Sequence, residues 1–532
     1  MAPSLPPPLE EKLTFGVELE FLVPALPIGK PDPRKADKRN SPLMRYPAAM
    51  DDYGDIDEYI LEEIRKVLKK SFDTSGKSFG TSIFGINKSQ MASDQFKSKI
   101  LSMYTEWNVE NDSSLEEPDY PEFSWFNVEV QSPVEFSCQE AFKAITYAIT
   151  EITKRCCCRV NPSTGFHVHV GQREERFPLG ALRRISSLFW AAEPLLMTLQ
   201  SPVRRVNIYC QPLRQRSHLA LGRSPEPIHN IPNSGHRVCP KACVRYLGRD
   251  RRFGEGPISE RELNSNVENV LAFEKTREPG YYKPFRTVPG SKAIKDLTTT
   301  GTQPSSSEHI DQVEVLIAKL QKEGKTAAGI RREEVRPRSH PRIKMPKYSI
   351  PELKALDEIA DNYGTGGSRF KPPEPGRRMS GAFAESDIGV FEGVRQIFES
   401  PSTCHVAALL EPQRWVTMSL RGYSCTNVVS AGGLRTVEFR LGEGVMDSWA
   451  ETMARICVGL VRFAIYSSPS DFVDMLMNCN IAVKEDGKYD VIDFIDDLGL
   501  YAEAHLAEQR INTFQSAWGL KYVSSPGGTT QT

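Results

Sequence analysis

The chain has 532 residues, 67 Lys and Arg against 68 Asp and Glu, a formal net charge of -1 and 39% hydrophobic residues. Near-neutral charge excludes a global attraction to nucleic acid or anionic membrane, and the apolar content supports one substantial core rather than a wholly compact protein. The start, MAPSLPPPLEEKLTF, has neither the basic nor the apolar region of a signal peptide, and the most apolar long stretch, Ile456 to Tyr466, is short and carries Arg462. Eleven cysteines, among them Cys156-Cys157-Cys158, fit a reducing compartment, so a soluble cytoplasmic protein is expected.

In chain order, LTFGVELEFLVP reads as an opening strand and the polar stretch 28–48 as a loop. Ile60, Leu61, Ile64, Val67 and Leu68 recur at helical spacing within 55–72. WNVENDSSL and FNVEVQSPVEF follow as strands, Gln139–Lys154 as a helix, GFHVHVG as a tight strand and Leu179–Leu199 as a second strongly periodic helix. His236, Cys239 and Cys243 could form a zinc site with Cys210 or His229, although no paired CxxC supports it.

From 283 to 375 the composition turns to Ser, Thr, Pro, Gly and charge, with one convincing helix, Ile310–Lys322. The basic part, Lys322–Lys347, has no aromatic residue for base stacking and reads as a solvated loop, with an anionic partner or nuclear import as the alternative. Order returns with VVSAGGLRTVEFRLGEG, a hairpin-like pair of strands, and a helix over 447–466. The division expected is an interrupted catalytic domain, 12–282 and 376–523, around a largely disordered insertion, 283–375, with flexible termini 1–11 and 524–532. Irregular alternation of sheet and helix predicts an α+β fold.

Three strand-like segments place two polar, chemistry-bearing residues two positions apart: Glu18 and Glu20, His167 and His169, Glu438 and Arg440. Period two puts each pair on one face, with Val17, Leu19, Phe21, Phe166, Val168, Val170, Val437, Phe439 and Leu441 on the other. One such pair is an ordinary solvated strand face, but carboxylates are disfavoured in strands, so recurrence points to a site. Glu129 is a fourth candidate. Carboxylates with imidazoles suit Mg2+ or Mn2+ better than zinc, and Arg440 offers a fork for phosphate or carboxylate.

These segments, with the strand VEVQSPV and the run VRRVNIYCQPL, resemble in type and order the fungal branch of the putative amidoligase family, within the glutamine synthetase and glutamate-cysteine ligase-like superfamily of carboxylate-amine ligases. The resemblance implies a curved antiparallel sheet forming a funnel, with helices on its outer face, and an ATP-dependent ligase that forms an amide through an acyl phosphate. It implies metal ligands among Glu18, Glu20, Glu129, His167, His169 and Glu438. Glu129 and Arg440 would be catalytic, and His167, His169 and Arg440 would meet the nucleotide. Which histidine binds metal stays open. Arg204, Arg205, Asn207 and Tyr209 are either substrate-binding or a solvated polar loop, Asp112 and Ser114 either functional or a turn, and Cys210 is expected to pack.

Where relatives continue EFR with Gln-His and, three residues after that His, Thr, this chain has Leu441, Gly442 and Val445, which points to reduced activity or altered substrate choice. A non-catalytic nucleotide-binding or scaffold descendant is the first alternative and a metal-dependent hydrolase the second. YGTGGSRF lacks the Lys-Ser/Thr of a P-loop and GYSCT lacks the second glycine of a nucleophile elbow. The expected partners are a carboxylate and an amine, small molecules or peptides, with no nucleic acid and no membrane.

Overall fold

A computed structural model describes residues 13–34, 41–75, 105–172, 175–222, 338–366, 384, 386–400, 402–410, 415–423 and 436–523. Its strands are β1 (Thr14–Pro27), β2 (Met44–Tyr46), β3 (Asn108–Glu110), β4 (Ser124–Gln131), β5 (Glu135–Phe136), β6 (Gly165–Gly171), β7 (Met418–Ser419) and β8 (Val437–Glu443). They form one open sheet in the order β3-β4-β1-β6-β8-β7, antiparallel along that path; β5 joins β1 antiparallel and β2 joins it parallel.

The alternation in the opening segment becomes the 14-residue central strand β1. Phe15, Val17, Leu19, Phe21 and Val23 are buried on one face, as are Val128 of β4, Val168 of β6 and Phe439 of β8. Three helices, α1 (Tyr53–Ser75), α2 (Gln139–Arg155) and α3 (Leu179–Leu196), contribute to the core on that face. Phe142 of α2 stacks on Phe15 at 4.3 Å between ring centroids, and Phe189 of α3 meets Phe439 at 5.5 Å. The periodicity over 179–199 ends as α-helix at Leu196, and Met197–Leu199 continues as a tighter 3-10 turn.

Beyond the short helix α4 (Leu213–Arg216) come α5 (Ile350–Asp361), α6 (Val390–Glu399), α7 (Thr403–Leu410), α8 (Trp449–Tyr466), α9 (Pro469–Lys484), α10 (Val491–Asp497) and α11 (Tyr501–Phe514). Helix α8 packs on β6 and on α2 and α3, closing the apolar face. Among the described residues no helix is long and apolar enough to cross a membrane.

Helix α5 lies inside 283–375, where composition suggested a single helix elsewhere. Its N-terminus is fixed by a reciprocal cap, Ser349 accepting from the Glu352 amide while Glu352 accepts from the Ser349 amide. The residues before it are pinned to the C-terminal helices: Arg338 and Arg342 pair with Asp490 and Asp493, two fully buried carboxylates that also cap α10. Those two arginines of the basic stretch therefore have intramolecular partners. The helix Ile310–Lys322, the first strand of the expected hairpin and the residues His229, His236, Cys239 and Cys243 lie outside the described residues.

The turn before β6 meets the end of β8 closely. The Gly444 amide donates to the Thr164 carbonyl at 3.0 Å, and a Cβ on Gly444 would fall on the Thr164 side chain and lie 3.2 Å from the Glu20 carbonyl. Gly444→Ala is expected to cost about 1–3 kcal/mol of stability through overpacking, read as a lower urea midpoint with an unchanged slope.

Candidate active site

Strand register brings the polar pairs together on the face opposite the helices. Glu18 lies beside His167, Glu20 beside Glu129, and His169 beside Glu438. Glu20, His167 and Glu438 are buried, while Glu18, Glu129, His169 and Arg440 are half-buried. Glu110 of β3 extends the row beyond Glu129.

Two groups of donors result, each with its ligand atoms within 4.8 Å of one another: Glu18, His167 and Glu438, and Glu20, Asp112 and Glu129. His167 sits between them, with Nδ1 2.9 Å from Glu18 and Nε2 3.4 Å from Glu20. A cation in the first group would replace the direct contact between His167 and Glu18. His169 reaches Glu18 through Nε2 at 3.0 Å and Thr436 through Nδ1 at 3.2 Å, so it orients Glu18 from the side. Glu20 accepts the Gly165 amide at 2.6 Å. Glu129 accepts from the Gln131 side-chain amide at 2.5 Å.

Burial is the largest influence on all four carboxyls and opposes ionisation, but the two sides of the site answer it differently. At Glu18 the charge of His169 and hydrogen bonds from both imidazoles outweigh burial and hold the carboxyl well below its usual range. At Glu438 the charges of Arg440, which contacts it through Nη1, and of His169 also outweigh burial and lower the carboxyl. Glu20 is raised by burial and by Asp112, which His167 and Arg440 offset only in part. Glu129 is pushed well above the carboxylate range by burial and by the charges of Glu18 and Glu20. Burial lowers His169, but Glu18 and Glu438 carry it up to about 9. The second group is thus short of positive charge. Its all-oxygen donor set fits a hard divalent cation such as Mg2+ or Mn2+, and the donors of the first group, with one imidazole, are compatible with the same ion.

Arginines border the face. Arg204 is 4% exposed and donates to the carbonyls of Arg440 at 3.0 Å and Thr164 at 3.4 Å, while its Nε and that of Arg440 are buried without a partner. Gly165 lacks a side chain where one would strike these groups: a Cβ would lie 2.8 Å from Arg204 Nη2 and 2.9 Å from His167 Nε2. Arg205 also has a buried, unpartnered Nη2. Asn207 is turned to the backbone, donating to the Pro162 carbonyl at 2.9 Å and accepting from the Tyr209 amide at 2.7 Å, so it shapes the loop. Tyr209 stands edge-on to Trp415 at 5.5 Å. Cys210 is fully buried, and burial raises its thiol.

Sequence reasoning left Asp112 undecided between turn and site, and the structure gives it both positions. One oxygen accepts the Ser114 amide at 2.8 Å, and the residue also belongs to the second donor group. The contacts of Gly165, Gln131 and Thr436 were missed because nothing in their types marks them; only the register across strands does. The divergent Leu441 and Val445 are core residues, and Gly442 lies where a Cβ would stand 2.6 Å from the Phe166 carbonyl, beside the register shift between β6 and β8. In this chain those positions serve packing. The next residue, Glu443, accepts the Ser201 amide at 2.9 Å and pairs with Arg510 at 2.5 Å.

Fold and site together define an α+β protein whose open antiparallel sheet carries two candidate cation groups bordered by buried arginines. Residues 11–229 match the model of the family described as putative amidoligase enzyme. No curated protein and no solved structure was found to match. The family segment contains both donor groups except Glu438, which arrives on β8 from more than two hundred residues downstream.

Because Glu129 is held against two other carboxylates, Glu129→Gln is expected to stabilise the cation-free protein by about 1 kcal/mol through relief of like charge. It should at the same time weaken Mn2+ binding about tenfold, or ~1.4 kcal/mol. Thermal melting with and without Mn2+ separates the two effects, and reduced stability with unchanged Mn2+ affinity would remove Glu129 from the site.

Proposed function

We propose that the chain is an ATP-dependent carboxylate-amine ligase whose polar sheet face is a glutamine-synthetase-like catalytic funnel. The observation that carries this reading is the pair of adjacent three-ligand groups on one sheet face, bordered by arginines with unpartnered N–H groups. The family match supports it from the sequence side.

Glu18, His167 and Glu438 would hold one Mg2+ or Mn2+, and Glu20, Asp112 and Glu129 a second. Bound there, the cations supply positive charge that offsets the triphosphate and the transferring phosphoryl group. Arg440, tied to Glu438 through Nη1, keeps its Nε for a phosphate oxygen, and Arg204 stands beside it with another free Nε. Both are fixed before any ligand arrives, so little reorganisation accompanies charge transfer. His169 holds Glu18 in a single orientation. The substrate carboxylate would become an acyl phosphate, because a carboxylate oxygen is otherwise too poor a leaving group. An amine would then displace phosphate and leave an amide.

Calorimetric titration of MgATP into the wild-type protein and into a Glu18→Gln, Glu20→Gln variant tests the reading without knowledge of the substrates. Metal-dependent binding by the wild type, weakened at least about tenfold (~1.4 kcal/mol) in the variant, is the expected result. ADP release in the presence of acid and amine pairs would then identify the substrates. A folded wild-type protein that binds no MgATP refutes the ligase, and turnover without ATP would mark a metal-dependent hydrolase instead.

A further inference from the structure

The matched segment ends at 229, yet residues 338–366 pack on the turn within it that carries Arg204 and Arg205. They leave the C-terminal helices where Arg338 meets Asp490 at 2.8 Å and Arg342 meets Asp493 at 2.6 Å. The Ser339 and His340 amides donate to Glu508 at 3.0 and 2.9 Å, and Ile343 bridges to Tyr522. From that buried anchor the segment forms α5 against the Pro202–Arg205 turn, and Thr365, fully buried, accepts the Ile208 amide at 3.0 Å. Its end is fixed on the other side by the Tyr363 hydroxyl, which donates to Asp119 at 2.6 Å.

The turn gripped in this way carries both arginines. Arg204 points to Gly165 and the Arg440 carbonyl, while the guanidinium of Arg205 lies over the Tyr348 ring, 5.4 Å from its centroid. Among the described residues no carboxylate lies within ion-pair distance of Arg205, and its Nη2 is buried without an acceptor. Burial of a guanidinium is costly unless an anion completes it, and here burial lowers the proton affinity of Arg205, with Tyr348 and the charge of Glu193 opposing the effect. The aromatic face compensates in part and fixes the plane of the fork.

We infer that Arg205 binds an oxyanion of the substrate and that Tyr348 is its positioning residue, so that the 338–366 segment completes a site otherwise built by the family segment. Recognition of an oxyanion by this fork stands on the geometry alone. Its assignment to a nucleotide phosphate or a substrate carboxylate rests on the ligase reading.

The test is a set of melting-temperature titrations of the whole chain with sodium phosphate, sodium acetate and MgATP, against chloride at equal ionic strength. It uses the wild type, Arg205→Met, Tyr348→Leu and Tyr348→Phe. Stabilisation by a bound anion follows mass action, so weak affinities are readable. In the wild type at least one of the three ligands should stabilise. Arg205→Met and Tyr348→Leu should each weaken that ligand about tenfold, and Tyr348→Phe, which keeps the ring, should stay within about threefold of the wild type. A merely structural role for Tyr348 would lower the melting temperature without changing ligand affinity. Losses with phosphate and MgATP place a nucleotide phosphate on Arg205; losses with acetate while MgATP is unchanged place a substrate carboxylate there. Phosphate or acetate binding that depends on Arg205 in a protein blind to MgATP would defeat the ligase and leave this inference standing. Equal ligand affinity in wild type and Arg205→Met overturns it, as does Tyr348→Leu binding like wild type, or a wild type that none of the three stabilises.

Discussion

Everything in this protein depends on a central strand that must be apolar on one face and densely charged on the other. β1 lies between β4 and β6, so Glu18 and Glu20 cannot turn to the sheet edge to find water. Their partners have to come from the neighbouring strands. His167 and His169 on β6 lie near Glu18, whereas β4 brings another carboxylate, Glu129, to Glu20. The sheet therefore separates a compensated side from an uncompensated one, and the uncompensated side is where a divalent cation gains most.

That division also orders the surroundings. The compensated side continues into β8 and then into the arginine turn, so negative and positive groups form adjoining halves of one face. Glycine makes the junction between them. At Gly165, Arg204, His167 and Glu20 all lie about 3 Å from where a Cβ would be, which lets an amide donate to Glu20 inside a crowd of side chains. Rigid placement costs stability, since buried guanidinium N–H groups remain unpartnered on Arg204, Arg205 and Arg440. Such groups are tolerated where a ligand completes them.

Much of the site was legible because period two is a strong rule: once FGVELEF, GFHVHVG and VEFR are strands, the shared face of each pair follows. Long helices with clear stripes, such as the one over 139–155, were legible for the same reason. Register was not. Which histidine lies beside Glu18 and which strand neighbours β1 depend on pairings between distant segments, to which local pattern is blind. Asp112 illustrates the limit, because DSS describes a turn equally well whether or not its aspartate also faces Glu20 and Glu129. Helix α5 was missed for a different reason. It is short, and the surrounding Ser, Pro and charge masked a cap formed by only two residues, Ser349 and Glu352.

The divergent end of β8 shows how one site can be held by different means. Leu441 and Val445 fill the core and Gly442 lets β8 approach the Phe166 carbonyl, so this strand offers few polar side chains beyond Arg440. Glu443 compensates from the strand end. It holds the Ser201 amide and pairs with Arg510, whose guanidinium lies 4.7, 5.0 and 5.3 Å from the rings of Trp449, Phe514 and Trp518. Ser201 immediately precedes the turn that carries Arg204 and Arg205, and Thr365 holds the Ile208 amide beyond it. The arginine turn is thus clamped at both ends by residues far downstream of the family segment. Stabilising those downstream elements is therefore inseparable from positioning the positive half of the site.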